Sequence, residues 1–124
     1  MTGLGIVGSL RAVPHYVLAV HSDAQRSPMS AERQERAWAD TGAFNQRMRD
    51  QGALVYANGI TSESVVFDAR GESVVASVGP YVSGPRRLAG FWILDAPDAE
   101  TAREWAIEAS AACNEPVELR AFHQ

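Results

Sequence analysis

The sequence predicts an α+β fold in which one antiparallel sheet carries two helices on a single face. Three observations predict it. Two segments place apolar residues at helical spacing between recognisable caps. Short runs rich in β-branched and aromatic residues precede, separate and follow them. Their order is β-α-β-β-β-α-β, the split arrangement of ferredoxin-like domains.

Residues 15–21, HYVLAVH, are apolar on both alternating faces, as in a strand covered on both sides. After the polar SDAQR, Ser27 reads as an N-cap with Pro28 at the first helical position, where a missing N–H costs nothing. In the helix that follows, Ala37, Thr41, Phe44 and Met48 form one stripe with Trp38 at its margin. Glu32, Arg36, Asp40, Arg47 and Asp50 face away, and Gly52 closes the helix. Trp38 is read as a core residue. Residues 53–60, ALVYANGI, form the next strand, and residues 63–78 hold two β-rich runs broken at Ala69-Arg70-Gly71, a hairpin that extends the sheet. Residues 89–95, AGFWILD, are a further strand. A second helix starts at Pro97-Asp98, with Asp98 as N-cap and Glu100 in its first turn. It buries Ala102, Trp105, Ala106 and Ala109, leaves Ile107 exposed, and stops at Asn114-Glu115-Pro116 before a last strand at 117–123.

Two helices cover only one sheet face, yet Val17 and Ala19 on one side and Tyr16, Leu18 and Val20 on the other are all apolar. The second face needs a cover, and a second copy of the chain packed sheet to sheet supplies it. The expectation is a homodimeric barrel with a cavity between the sheets, built from one domain at 15–124 behind an N-terminal extension at 1–14.

Eleven basic and 15 acidic residues give a net charge of −4, which offers no cationic field for nucleic acid. Every basic residue is arginine, so Schiff-base catalysis by lysine is excluded. Cys113 stands alone, which rules out an intrachain disulfide or a cysteine zinc cluster and fits a reducing cytoplasm. Three histidines without a spaced carboxylate cluster predict no metal, and no apolar run approaches the about 20 residues of a membrane span.

HYVLAVHSD, RDQGALVYANGI, VGPYVSGPRRLAGFWILDAPDAETAREWA and VELRAF resemble the YCII-related superfamily, and within it the DGPF branch, over residues 15–122. The resemblance implies a dimeric ferredoxin-like α/β barrel. It also implies, in some relatives, cofactor-free lyase or dehalogenase chemistry by a histidine and an aspartate. The chain departs from that pattern. Val78 stands where the branch has the aspartate of Asp-Gly-Pro-Phe, SGPRR replaces a mixed-charge loop, and Thr41 falls at the position of the helix histidine. No aspartate matches the partner near the end of the second helix, so the histidine-aspartate mechanism does not transfer.

Candidate site residues come from placement. His21, beside Ser22 and Asp23 at a strand end, is a base for proton transfer near neutral pH, with Asp23 also a substrate contact. Tyr81 and Arg86 are placed to stabilise developing negative charge, and Arg86 and Arg87 to grip an anion. Phe91 and Trp92 alternate, so one of them faces the cavity as an aromatic wall, and Trp92 is taken as a substrate contact. The expected activity is cofactor-independent isomerisation, elimination or cyclisation of a small anionic or aromatic molecule. The alternative is a non-catalytic ligand-binding or regulatory module.

Overall fold

The computed structural model describes residues 15–123, so the expected extension at 1–14 lies outside the described residues. The elements run β1 (His15–Asp23), α1 (Ala31–Asp50), β2 (Leu54–Gly59), β3 (Val65–Asp68), β4 (Val75–Val78), β5 (Arg86–Asp95), α2 (Ala99–Cys113) and β6 (Val117–Ala121). Four strands form an antiparallel sheet in the order β2-β5-β1-β6, the ferredoxin-like order, with β1 and β5 at its centre. The expected α+β fold is therefore present. One expectation needs correcting: β3 and β4 pair only with each other, in a separate two-stranded sheet inserted between β2 and β5. The middle of the chain thus holds one strand more than the order β-α-β-β-β-α-β, and the hairpin does not extend the main sheet.

The strand alternation sorts the sheet into two unlike faces. Tyr16, Leu18, Trp92 and Leu94 are buried against Phe44 and Met48 of α1 and Trp105, Ala106 and Ala109 of α2, forming one core. The opposite face carries Val17, Ala19, Phe91, Ile93 and the half-exposed Tyr56, and among the described residues no helix lies over it.

Helix α1 begins later than its first serine suggests. Ser30 is the N-cap, its hydroxyl accepting from the Arg33 N–H at 3.1 Å, while Ser27 and Pro28 lie in the extended approach. Both serines suit the cap, and the one nearer the apolar stripe takes it. At the other end the Ala53 N–H bonds Met48 and the Gly52 N–H bonds Arg49, a Schellman closure with Gly52 as the expected stop. Trp38 is 68% exposed and not core, because Ala37, 3% exposed and one position away, is the residue that α1 turns inward. Helix α2 matches its expected caps and stripe: Asp98 caps the N-terminus, Asn114 closes the C-terminus in the left-handed region, and Ile107 is exposed. Among the described residues no helix is long and apolar enough to cross a membrane.

Gly90 sits where β5 is irregular against β1, with a register shift at Val20/His21, and it pairs with Gly59 of β2. A Cβ there would lie 2.8 Å from the Asn58 carbonyl oxygen and 2.9 Å from Gly59 Cα, closer than backbone tolerates. Gly90→Ala therefore forces β2 and β5 apart and should lower the urea-unfolding free energy by about 1–3 kcal/mol. Gly71→Ala, in open space, serves as the control, and an equal effect of the two would refute the close-approach argument.

The Thr101 backbone N–H, and then its hydroxyl, hold the Asp98 carboxyl below its ordinary value of 3.8. The native pKa is depressed, so the cap's contribution is whole above the unfolded value and is lost as pH falls below 3.8 through the native one. Asp98→Ala should lower Tm at pH 7 and approach wild-type behaviour in strong acid; thermal melts across that range measure it.

Candidate functional site

Two concavities flank β5, one on each face of the sheet. The first is a cleft of about 570 Å³ between α1 and the β2–β5 edge, with Met29 at its entrance and the end of α2 at its far side. Its α1 wall presents Gln34, Ala37, Trp38, Thr41 and Asn45, residues one helical turn apart or less that the 3.6 period gathers on one side.

Trp92 stands at the base of this cleft. Its indole is 4% exposed and meets Phe44 edge to face at 5.5 Å, while its N–H donates to Asn45 Oδ1 at 2.6 Å. An indole N–H only donates, so the contact fixes the orientation of the Asn45 amide and leaves its two N–H donors for the cleft. Trp92 thus faces the helices and Phe91 the uncovered face. The sequence reading that placed Trp92 between the sheets is corrected to a residue of the helix-side cleft. Asn58 lends the cleft its main chain, since its side chain donates to the Tyr56 hydroxyl at 3.3 Å on the other face.

The ionisable lining is sparse. Glu115 is held by Arg26 at 3.1 Å, and burial pushes the Cys113 thiol above its ordinary value, which keeps it protonated and apolar in character. What remains is neutral: two amides, a hydroxyl and two indoles, with Thr41 in the middle of the wall. Such a set recognises shape, planarity and hydrogen-bonding pattern, and it offers no acid–base pair.

The second concavity, about 950 Å³, opens on the uncovered face where β1, β5 and β6 end near the root of the hairpin. It gathers His21, Arg86 and Arg87, as expected from sequence, with Leu88, Ile60 and Val82. The carboxylate beside His21 is Glu118, Oε1 at 3.1 Å from Nε2, and not Asp23. Asp23 accepts instead from the Gln25 N–H at 2.8 Å to close its own turn, which takes it out of the proposed substrate contact. Glu118 was missed because it lies 97 residues away; its only signal was the alternation of VELRAF, which puts it on the same face as Ala19.

Tyr81 is not among the lining residues of this concavity. It is 79% exposed and leans toward Arg70 of the hairpin, whose guanidinium is kept charged mainly by Asp68 and to a smaller degree by Tyr81. The tyrosine neighbours Pro80 and Val82 do face inward, and alternation along this segment turns Tyr81 out. Arg87 donates to the Gly84 carbonyl at 2.8 Å, so one of the two arginines fastens its own loop. Gly79 and Gly84 hold φ at +108° and +128°, a region side chains avoid, and each precedes a proline that fixes the next dihedral. The connector between hairpin and β5 is therefore stiff.

The Trp92–Asn45 bond ties the core to the cleft. Asn45→Leu strands a nearly buried N–H and should lower stability by about 1–3 kcal/mol, with a shifted indole emission. Urea titration followed by fluorescence checks both, and an unchanged midpoint would show that the bond carries no weight.

A search of curated proteins returns no match. The YCII-related domain family matches residues 16–121, from the second residue of β1 to the end of β6, and so takes in both concavities, both helices and the hairpin. With nearly the whole described fold inside that match, the chain belongs to the YCII-related domain family.

Proposed function

We propose that this YCII-related protein is a homodimeric small-molecule-binding module whose ligand, neutral and planar, lies in the cleft between α1 and the sheet. The observation that carries the reading is the lining of that cleft: Trp38 and Trp92 beside Gln34, Thr41 and Asn45, with its one carboxylate committed to Arg26. About 570 Å³ suits a small organic ligand, and the exposed Trp38 indole gives a planar molecule a face to stack on. The loss of the histidine and aspartate implied by the family pattern agrees with retention of the fold for binding. The dimer reading draws on the apolar, helix-free face of the sheet.

A second reading has one observation behind it. His21 and Glu118 form an acid–base pair next to Arg86 and Arg87, which suits cofactor-free proton transfer on an anionic substrate. In that case His21→Ala abolishes turnover of any substrate found.

Ligand-observed NMR and tryptophan fluorescence with indole-3-carboxamide and its matched carboxylate, indole-3-carboxylate, separate the readings. A neutral-ligand cleft binds the amide more tightly, and Trp38→Ala weakens that binding by about tenfold, the loss of one good aromatic stack. Preference for the carboxylate, lost in Arg86→Ala and untouched by Trp38→Ala, would replace this reading with the second one.

A further inference from the structure

The β3–β4 hairpin presents a face that its own domain does not use. In its register Val65 pairs with Val78 and Phe67 with Ala76, so these four share one side, and that side is wholly apolar. Phe67 is 70% exposed and Val78 93%, and Tyr81 is exposed beyond the strand. The other side mixes Val66 and Val75 with Ser77 and Asp68. Arg70 closes the tip by gripping Asp68 through two guanidinium contacts at 3.0 and 2.7 Å, so these two charges are satisfied within it. The hairpin packs substantially on no other element, and an isolated two-stranded hairpin is marginal in water. Among the described residues nothing covers its exposed Phe67 and Val78.

We infer that the hairpin is an arm that seats on a second copy of this chain, with Phe67 and Val78 of one copy entering the concavity lined by Ile60, Val82 and Leu88 of the other. The concavity lies at the root of the same hairpin and runs into the uncovered sheet face through His21 and Leu88. Arm, concavity and sheet face therefore adjoin, with Ile60, Pro80, Val82 and Leu88 as the apolar part of a concavity rimmed by His21, Glu63, Arg86, Arg87 and Glu118. A two-fold axis at this end brings each arm to the other copy's concavity, the reciprocal arrangement a closed dimer requires. The Gly79-Pro80 and Gly84-Pro85 pairs then have a purpose: they fix the angle at which the arm leaves β5. Each concavity is completed by the partner's Phe67, and an arm seated there leaves the proton-transfer reading without a substrate site.

The inference rests on the homodimer proposed above, and not on the ligand. Sedimentation velocity of the full chain from sub-micromolar to high micromolar concentration tests it with three single variants. Phe67→Lys and Leu88→Glu, both at exposed positions, should keep the wild-type circular dichroism and each weaken self-association by at least about tenfold. Mixing the two variants should restore a heterodimer, since one arm then meets an opposite charge and the other meets its native partner. Wild-type association in Phe67→Lys, or no heterodimer on mixing, overturns the arm. Ile93→Asp, at the centre of the sheet face, separates the two proposals: if it alone breaks the dimer, the sheet-to-sheet contact stands and the arm falls. A wild-type chain that stays monomeric overturns both.

Discussion

A nearly buried indole N–H must find an acceptor, and in this fold the Trp92 N–H finds Asn45. That bond joins the central strand pair to the C-terminal half of the long helix, and Phe44 braces the ring from the side. With α1 pinned there and its Schellman closure fixing the exit into β2, the helix spans the sheet edge, and the space under its first half is the cleft. Core and candidate site are thus two sides of one side chain. The residue that fills the interior also sets the hydrogen-bonding pattern a ligand meets.

The two sheet faces divide the molecule's work. On the helix side, α2 lays a stripe of alanines on the sheet, and small side chains bring it close. Helix α1 brings Phe44 and Met48 at one end and leaves the other end standing off. The cleft follows from this unequal spacing. On the opposite side nothing among the described residues compensates for the exposed apolar groups, and the hairpin adds more of them. In the proposed dimer a single second copy would relieve both.

Local signals in the sequence were reliable wherever physics is local. The Asp98 cap, the Gly52 stop, the alanine stripe of α2 and the exposed Ile107 each depend on residues within a turn or two, and each was legible. The misreadings share the opposite property. Two serines both satisfied the rule for a cap, and the choice between them depended on where the sheet meets α1. Trp38 satisfied a helical stripe, yet one position of rotation turns it to the cleft mouth. The hairpin carried the right alternation, but no residue in it states which sheet it joins. For the site, His21, Arg86 and Arg87 were brought together as expected because they lie on paired strands, whereas the His21 partner Glu118 depends on a register set across the whole domain. Asp23 and Tyr81 were proposed by sequence adjacency alone, and the turn chemistry at each directs the side chain elsewhere.

The position of β2 at the sheet edge has a dynamic consequence. Among the described residues it is hydrogen-bonded to β5 alone, and the ladder is interrupted next to its first residue. Such a strand opens at a lower free energy than the central pair, so its amide protons exchange with solvent well before those of β1. Because β2 also forms part of the cleft wall, occupancy of the cleft and closure of this strand are thermodynamically linked. A ligand entering the proposed cleft would then need no displacement of α1: the wall free to yield is the strand that, among the described residues, is held on one side only.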